Sequence, residues 1–347
     1  MTDHSEKKIA VAMSGGVDST VTAALLQKQG YTVCGLYMNL GLPGLEKQVA
    51  KVKEIAVRLG IDFEVVDLSQ AFAGEVLHYF RKSYFSGRTP NPCVVCNPRI
   101  KFGRLLNEVH KRDIDVLATG HYVRNEWNGS MWQLKKGKDS RKDQSYFLCR
   151  LSQEQLKYLV FPLGGWRKDR VYQTAVALGF HDFGGQESQD ICFIQGKSIS
   201  EYFSVDDDAL PKAGEIVTSE GKVLGSHQGI CSYTVGQRRG LGIPDSTPYY
   251  VVGLNQEKNQ VVVGKEEDLW EKRLLVSDMN WLGGSAPRLP CVYTVKIRYR
   301  HDGAPALVSQ TDNGIEVVFE TPQRAITPGQ FAVLYDEDAV VGGGEIS

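Results

Sequence analysis

The sequence predicts a doubly wound parallel α/β domain followed by a mainly-β half. Strand-like and helix-like segments alternate from residue 8 to about residue 200. A glycine-containing loop separates the first strand from the first helix, and short strands and turns fill the chain from about residue 210. This alternation is typical of a parallel sheet that is covered by helices on both faces.

The α/β half contains four apolar strand-like segments, with helix-like segments between them. Strands are predicted over residues 9–13, 31–38, 63–66 and 116–119. Helices are predicted over residues 17–29, 45–59, 71–85 and 99–111, where apolar residues recur with helical spacing. Because ligands of such sheets bind beyond the carboxyl ends of the strands, we expect a site formed by residues 12–19, Met38 and residues 119–122.

The second half is predicted to form two small β domains. Residues 249–263 are predicted to form a hairpin, and residues 281–287 a linker. Further strands are predicted over residues 291–300, 306–310, 315–319, 325–326 and 331–335, which fit a small barrel. We therefore expect three domains, over residues 1–205, 206–272 and 273–347.

Composition limits the classes of partner. The net charge of −1 provides no global field that attracts nucleic acid, so RNA binding would depend on basic patches at residues 135–142, 167–170 and 296–300. Alternation along a strand would place Lys296, Arg298 and Arg300 on one face. The chain has no membrane-length apolar run and starts without a signal-like segment, so we expect a cytoplasmic protein without a membrane partner.

The loop at residues 12–19 reads Ala-Met-Ser-Gly-Gly-Val-Asp-Ser. Glycines allow a tight turn and close approach to a ligand, and a helix N-terminus favours an anion. The loop lacks both the Walker A lysine and the Gly-x-Gly-x-x-Gly pattern of nicotinamide enzymes. It therefore predicts a phosphate site; the structural alternative is an ordinary turn with N-caps at Ser14 and Asp18.

The seven cysteines do not indicate a disulfide framework, since their number is odd. Four lie in settings that fit small core residues: Cys34, Cys149, Cys231 and Cys291. The other three have unusual surroundings: Cys93, Cys96 and Cys192.

Cys93 and Cys96 lie in the proline-rich residues 89–98, which predict a stiff loop before a helix that begins near Arg99. We expect the helix N-terminus, Arg99 and Lys101 to lower the thiol pKa and favour thiolate. A closed zinc site needs four ligands and the chain offers three cysteines, whereas three thiols would suit an iron–sulfur cluster.

Nine motifs, in order along nearly the whole chain, resemble the tRNA-specific 2-thiouridylase (MnmA) family. They lie at residues 12–19, 89–102, 118–122, 142–148, 188–194, 233–242, 296–300, 327–330 and 342–346. The first also resembles the PP-loop of ATP pyrophosphatases, which have an adenine nucleotide alpha hydrolase-like fold. In such loops the β and γ phosphates are held as the leaving group while a substrate attacks the α phosphate.

The family resemblance implies an ATP-dependent tRNA sulfurtransferase. It would adenylate the C2 oxygen of the wobble uridine in tRNAs for glutamate, glutamine and lysine and replace it with sulfur, giving AMP and pyrophosphate. Cys192 would carry the sulfur as a persulfide, Cys96 would be the nucleophile, and a transient Cys96–Cys192 disulfide would result. The resemblance further implies ATP and Mg²⁺, a cysteine desulfurase or sulfur-relay protein as donor, and a monomer.

The resemblance also implies the binding residues. The ATP site would contain Ala12, Met13, Ser14, Gly15, Gly16, Val17, Asp18, Ser19, Met38 and Gly120. The target base would contact Asn91, Pro92 and Cys93, and tRNA would contact His121, Lys142, Asp143, Gln144, Arg298, Tyr299 and Gln330. Tyr122, Tyr146 and Tyr299 are of a type that stacks on bases, although Tyr146 also fits a core position. Structural roles are open for His121 and Arg298, and Asp18 would bind Mg²⁺ or only cap its helix.

Two departures from the family pattern leave alternatives open. Cys93 stands where many members have Asp, so a [4Fe–4S] cluster on Cys93, Cys96 and Cys192 would be an alternative sulfur carrier. Residues 40–44 are shorter and less acidic than expected, which puts metal contacts from that loop in doubt. Two other functions also remain: another PP-loop ligase that modifies tRNA, and a non-catalytic RNA-binding protein.

Overall fold

A computed structural model describes residues 7–181, 183, 191–203 and 212–347. The N-terminal half contains seven described strands: β1 Lys8–Ala12, β2 Thr32–Asn39, β3 Asp62–Asp67, β4 Val116–Ala118, β5 Val123–Trp127, β6 Trp132–Lys136 and β7 Leu159–Val160. Five of them form a parallel sheet in the order β3-β2-β1-β4-β7. The predicted parallel sheet is confirmed, and β7 is an additional two-residue strand.

The structure also describes helices, several of which pack on this sheet. Their described ranges are α1 Val17–Lys28, α2 Leu45–Leu59, α3 Ser69–Phe72, α4 His78–Phe85, α5 Pro92–Cys96, α6 Leu105–His110, α7 Gln153–Leu156, α8 Lys168–Ala177 and α9 Ile199–Phe203. Two π-helical segments, Ala73–Leu77 and Asn97–Arg104, join α3 to α4 and α5 to α6. Such segments are rare and often lie at functional sites.

The prediction of a stiff loop around Cys93 and Cys96 is wrong. Pro92 is the first residue of α5, so both cysteines lie in a helix that begins before Arg99. A proline is tolerated there because the first helical N–H groups have no partner within the helix.

The middle of the chain forms a four-stranded sheet. Its strands are β8 Gly214–Thr218, β9 Val223–His227, β10 Tyr250–Asn255 and β11 Gln260–Gly264, in the order β10-β11-β8-β9. The antiparallel pair β10–β11 confirms the predicted hairpin. The predicted boundary between residues 205 and 206 lies outside the described residues.

The C-terminal part is a closed barrel. Its strands are β12 Trp270–Trp281, β13 Cys291–Lys296, β14 Ala304–Thr311, β15 Gly314–Arg324, β16 Phe331–Asp336 and β17 Ala339–Ile346. They follow the order β12-β15-β14-β13-β16-β17, and β12 also pairs with β17. This pairing closes six strands, as the barrel prediction requires.

Four details of the barrel differ from the predictions. The strand predicted over residues 291–300 ends at Lys296, so the three basic residues do not follow one strand. Ala325 has a φ of 55°, which the extended backbone of a strand does not allow, so residues 325–326 are not a strand. Residues 282–290 connect β12 to β13, which are two strands of the same barrel, so the predicted linker does not join two domains. Neither β12 nor β17 was predicted, because charged and glycine-rich segments have low strand propensity.

The barrel and the parallel-sheet half share a hydrophobic core. The hairpin β5–β6 extends the barrel sheet, since β6 pairs with β17. One buried cluster contains Phe80 and Phe102 from the helices, Tyr146, and Phe331 and Tyr335 from β16. In the described part of the chain, no helix has the length and apolarity needed to cross a bilayer.

Candidate nucleotide and thiol site

The glycine loop links β1 to α1 as the sequence predicts. Gly15 has a φ of 78°, a left-handed conformation that favours glycine. Gly16 is the N-cap of α1 and no side chain caps this end, so the alternative with N-caps at Ser14 and Asp18 is wrong. The first N–H groups of α1 have no acceptor within the helix, which suits an anion in the loop.

Hydroxyl groups hold the loop in shape. The Ser19 hydroxyl accepts from the Ser14 amide at 3.3 Å and donates to the Gly16 carbonyl at 3.0 Å. The Thr20 hydroxyl donates to the same carbonyl at 3.0 Å. These bonds preorganise the loop without using the amides of Gly15, Val17 or Asp18.

Asp18 lies in the first turn of α1 and binds two partners. Lys168 Nζ lies 2.8 Å from Oδ1 and 2.7 Å from Oδ2, and the Tyr122 hydroxyl donates to Oδ1 at 2.7 Å. Lys168 is buried, whereas Asp18 is about one-third exposed. A buried ammonium therefore lies at the base of the glycine loop.

Gly120 brings the end of β4 against this loop. A Cβ at this position would lie 2.9 Å from the Asp18 carbonyl carbon and 3.1 Å from the Ser19 amide nitrogen. A larger residue would displace backbone at the start of α1. Gly120 thus borders the loop, as its position after a strand of the parallel sheet leads us to expect.

A cavity of about 190 Å³ reaches the neighbourhood of the loop through Gln48. Its walls include Met38 at the carboxyl end of β2, Gln48 of α2, and Cys192. Gln48 Oε1 would be 3.8 Å from a Cβ on Gly15. The structure therefore places the Cys192 thiol and the predicted nucleotide contact Met38 in one cavity beside the loop.

The three unusual cysteines lie within electrostatic range of one another. Burial raises the pKa of the Cys93 thiol to about 11, and Cys192 raises it further. Burial raises the pKa of Cys96 to about 12, with further increases from Cys93 and Cys192. Desolvation also raises the pKa of Cys192, although its own amide and that of Phe193 oppose this effect.

The prediction of lowered thiol pKa values is therefore wrong. Lys101 lowers the pKa of all three thiols as predicted, but desolvation is the larger effect for each. Arg99 does not contribute to these shifts. A buried thiolate loses its hydration, and one ammonium does not compensate for that loss.

The thiols do not form a metal site in this arrangement. Across the described ranges, no group of three or more His, Cys, Asp or Glu side chains is placed to hold a metal ion. Cys93, Cys96 and Cys192 therefore do not fit the ligand set of a [4Fe–4S] cluster. Mg²⁺ is a different case, because it needs only one or two carboxylates when substrate phosphates supply other ligands, and Asp18 offers one at the loop.

His121 is part of a partly buried chain of polar side chains. Lys101 Nζ lies 3.4 Å from His121 Nε2, and Thr119 Oγ1 lies 2.6 Å from Nδ1. Burial and Lys101 hold the His121 pKa well below 6.5, so the ring is neutral. Because an ammonium only donates, Nε2 is the acceptor and Nδ1–H donates to Thr119.

Two of the predicted tRNA contacts support the fold. The buried Asp143 carboxylate accepts from the Gly137 amide at 3.0 Å and from the Ser145 hydroxyl at 2.8 Å. Gln144 Oε1 accepts from the Tyr122 amide at 3.0 Å. Lys142, between them and the exposed Arg141, is half-buried.

The barrel loop that contains Pro328 and Gln330 is hydrogen-bonded to the residues before α5. Gln330 Nε2 donates to the Thr89 carbonyl at 2.9 Å, and the Thr89 amide donates to the Pro328 carbonyl at 2.9 Å. Arg88 forms an ion pair with Glu345 of β17 at 3.0 Å. Motifs separated by more than two hundred residues thus meet near the start of α5, where Asn91 is the N-cap and Pro92 the first residue.

The remaining predicted contacts lie near the barrel. Tyr299 packs on Phe147 with ring centroids 4.4 Å apart, and Arg298 donates to the Arg324 carbonyl at 3.0 Å. Tyr146 is fully buried and donates to the Phe331 carbonyl at 3.0 Å. Tyr146 and the buried Tyr122 therefore do not present faces to bases, and the core alternative for Tyr146 is right.

Sequence reasoning missed the role of one residue at the loop. Lys168 appeared only as part of the basic patch at residues 167–170, although it is buried against Asp18. Lysine is seldom buried without a partner, but the sequence gives no signal of which lysine is buried.

The raised pKa of Cys96 predicts an unusual pH dependence of its alkylation. With a pKa of about 12, its thiolate fraction should grow about tenfold per pH unit from about pH 7 to about pH 9.5, without a plateau. Iodoacetamide labelling followed by peptide mass mapping measures this rate, and a short cysteine peptide serves as the reference that levels off near its ordinary pKa. A plateau for Cys96 below pH 9 would contradict the burial of its sulfur.

Comparisons with known proteins agree with this architecture. Residues 7–196 match the family model described as tRNA methyl transferase HUP domain, residues 205–265 a tRNA methyl transferase PRC-barrel domain, and residues 271–346 an aminomethyltransferase beta-barrel domain. A protein named tRNA-specific 2-thiouridylase MnmA from Desulfotalea psychrophila is 46% identical over 97% of this chain and 98% of its own. Relatives of the same name from Syntrophotalea carbinolica and Geobacter metallireducens are 45% and 43% identical, over 98% and 100% of this chain and 99% and 98% of theirs. The chain therefore belongs to the tRNA-specific 2-thiouridylase (MnmA) family of the PP-loop superfamily.

Proposed function

We propose that this protein is an ATP-dependent tRNA sulfurtransferase that converts the wobble uridine of tRNAs for glutamate, glutamine and lysine to 2-thiouridine. It would work as a cytoplasmic monomer and receive sulfur from a cysteine desulfurase or a sulfur-relay protein. The observation that carries this proposal is the single cavity that joins Cys192 to Met38 beside the phosphate loop.

The first step needs the phosphate loop. ATP would lie with its β and γ phosphates at the amides of residues 14–19, and its leaving pyrophosphate would be stabilised by the start of α1. The uridine C2 oxygen would attack the α phosphate, which forms a C2–O–P bond and releases pyrophosphate. Mg²⁺ would neutralise phosphate charge, with Asp18 as its protein ligand. Lys168 would add a second positive charge at the same place.

The second step transfers sulfur. The terminal sulfur of a Cys192 persulfide would attack C2, and AMP would leave with the former C2 oxygen. The base is then joined to Cys192 through a sulfur–sulfur bond. The Cys96 thiolate would attack Cys192 Sγ and break that bond, which releases 2-thiouridine and leaves a Cys96–Cys192 disulfide. A thiol reductant would return both cysteines to thiols.

The neutral resting state of Cys96 suits this order of events. A buried thiol with a raised pKa is a poor nucleophile until a base or a cation offsets the cost of its charge. Lys101 is the cation that acts on all three sulfurs, and its link to the neutral His121 ring holds it there. Asn91 and Pro92, which closely follow the Thr89 backbone held by the barrel loop, would border the target base.

Incubation of the protein with unmodified tRNA for glutamate, ATP, Mg²⁺ and a persulfide donor tests the proposal. We expect pyrophosphate release that depends on tRNA, and a wobble nucleoside whose mass shows one oxygen replaced by sulfur. A tRNA with cytidine at the wobble position is the control. Pyrophosphate release with no sulfur in the RNA would instead assign the protein to another class of PP-loop ligase.

A further inference from the structure

Two basic segments that are separate in the sequence meet in one cleft. Lys138 and Arg141 come from the segment after β6, and Arg167 is the N-cap residue of α8. Together with Ser140 and the carboxylate residue Asp139 they line an open cleft of about 510 Å³. The fold thus combines two of the three basic patches that the sequence contains.

The cationic side chains of this cleft are exposed and form few ion pairs with other described residues. Lys138, Arg141 and Arg167 are all exposed. In the described part of the structure, neither Lys138 nor Arg167 forms an ion pair, and Arg141 has only a long contact of 3.9 Å with Asp139. Three positive charges therefore face solvent within one concave surface.

A buried carboxylate fixes the shape of the cleft. Asp139 accepts from the Arg141 amide at 3.2 Å and from the Lys168 amide at 3.0 Å. The Lys138 amide donates to the Gly164 carbonyl at 2.9 Å, which ties the first segment to the turn before α8. The cleft is thus a preformed feature and not a chance approach of two loops.

We propose that this cleft binds phosphate groups of the RNA backbone outside the anticodon pocket, an inference that rests on the proposed function. Three convergent cations with a serine hydroxyl are suited to phosphate oxygens. Lys142, which the family resemblance implies as a tRNA contact, directly follows Arg141 in the sequence. Lys168 lies between this cleft and the glycine loop. Its backbone amide donates to Asp139 at the cleft, and its ammonium donates to Asp18 at the loop. An RNA strand and a nucleotide would therefore occupy the two sides of α8's first turn.

The test uses the full-length variant Lys138→Ala/Arg141→Ala/Arg167→Ala and unmodified tRNA for glutamate. Because phosphate contacts release counterions, we expect at least about tenfold weaker tRNA binding at low salt. The slope of log affinity against log salt should fall in magnitude by about 2 to 3. Lys222→Ala/Lys258→Ala/Lys272→Ala, which also removes three exposed charges, is the control and should change the slope by less than about one.

Kinetics and a single variant complete the test. The triple variant should retain the kcat of thiolation at saturating tRNA with a raised KM for tRNA. Lys138→Ala alone, which removes one exposed side chain, should weaken binding about threefold with a slope change of about one. The proposal would be overturned if both variants kept the tRNA affinity and the salt slope of the unaltered protein. It would also be overturned if inorganic pyrophosphate inhibited the variants less strongly while their tRNA binding was unchanged. If the unaltered protein fails to thiolate tRNA, the proposed function fails, whereas the binding comparison still decides the cleft.

Discussion

Replacement of Cys192 by serine should reduce 2-thiouridine formation at least about 10³-fold while tRNA-dependent pyrophosphate release continues. Serine fills nearly the same volume but forms no persulfide, so adenylation would proceed and sulfur transfer would not. The measurement pairs a pyrophosphate assay with nucleoside mass analysis on the same reaction. Cys291→Ser, which changes a half-buried cysteine of the barrel, is the matched control and should keep both activities.

Replacement of Cys96 by serine distinguishes its proposed role, breaking the sulfur–sulfur bond, from the role of Cys192 as the persulfide carrier. The terminal sulfur would still reach C2, but no thiolate would break the bond to Cys192, so protein and tRNA should stay covalently joined. A non-reducing gel should show this adduct, and a thiol reductant should release thiolated tRNA from it. Full multiple-turnover thiolation by either serine variant would falsify the proposed pair.

Replacement of Lys168 by methionine should lower the free energy of unfolding and remove ATP-dependent pyrophosphate release. The variant leaves Asp18 with Tyr122 as its remaining polar partner among those described. We expect a cost of about 1–3 kcal/mol, less than for a fully buried pair because Asp18 keeps contact with solvent. Urea unfolding measures the stability, and tRNA-dependent pyrophosphate release measures the function.

A double-mutant cycle with Asp18→Asn isolates the pair. The two changes should be less harmful together than the sum of the single effects, since each removes the same interaction. Lys168 Nζ lies 5.6 Å from the centre of the Tyr122 ring, and the exposed Lys157 lies similarly over Tyr158 at 5.1 Å. Lys157→Met is therefore the control and should change stability by less than about 0.5 kcal/mol. Additive losses would mean that Lys168 and Asp18 act independently.

The parallel sheet and the phosphate loop were predictable because their signals are local. The apolar strand before residue 12, the two glycines and the helical spacing after Val17 lie within about twenty residues. The hairpin β10–β11 was predictable for the same reason. In contrast, β12 pairs with β15 and β17, which are distant in sequence, and the glycines of β17 hide its extended form although β17 follows β16 directly.

The chemistry of the site was less predictable than its composition. The sequence identifies Cys93, Cys96 and Cys192, but not that burial outweighs Lys101 and raises their pKa values. It likewise does not reveal that Asp143 points inward to Gly137 and Ser145. Both outcomes depend on which side chains are buried in the folded chain. In irregular segments, the periodicity of apolar residues does not specify which side chains are buried.

The hairpin β5–β6 has a consequence for mobility and for engineering. Because β6 pairs with β17 and the cluster around Tyr146 and Phe331 is common to both halves, the barrel packs directly against the domain that carries α5. We expect this packing to limit the motion of the barrel relative to α5. A chimaera that exchanges the barrel alone would leave an unpaired edge on β6, so a functional exchange must carry residues 123–136 with it.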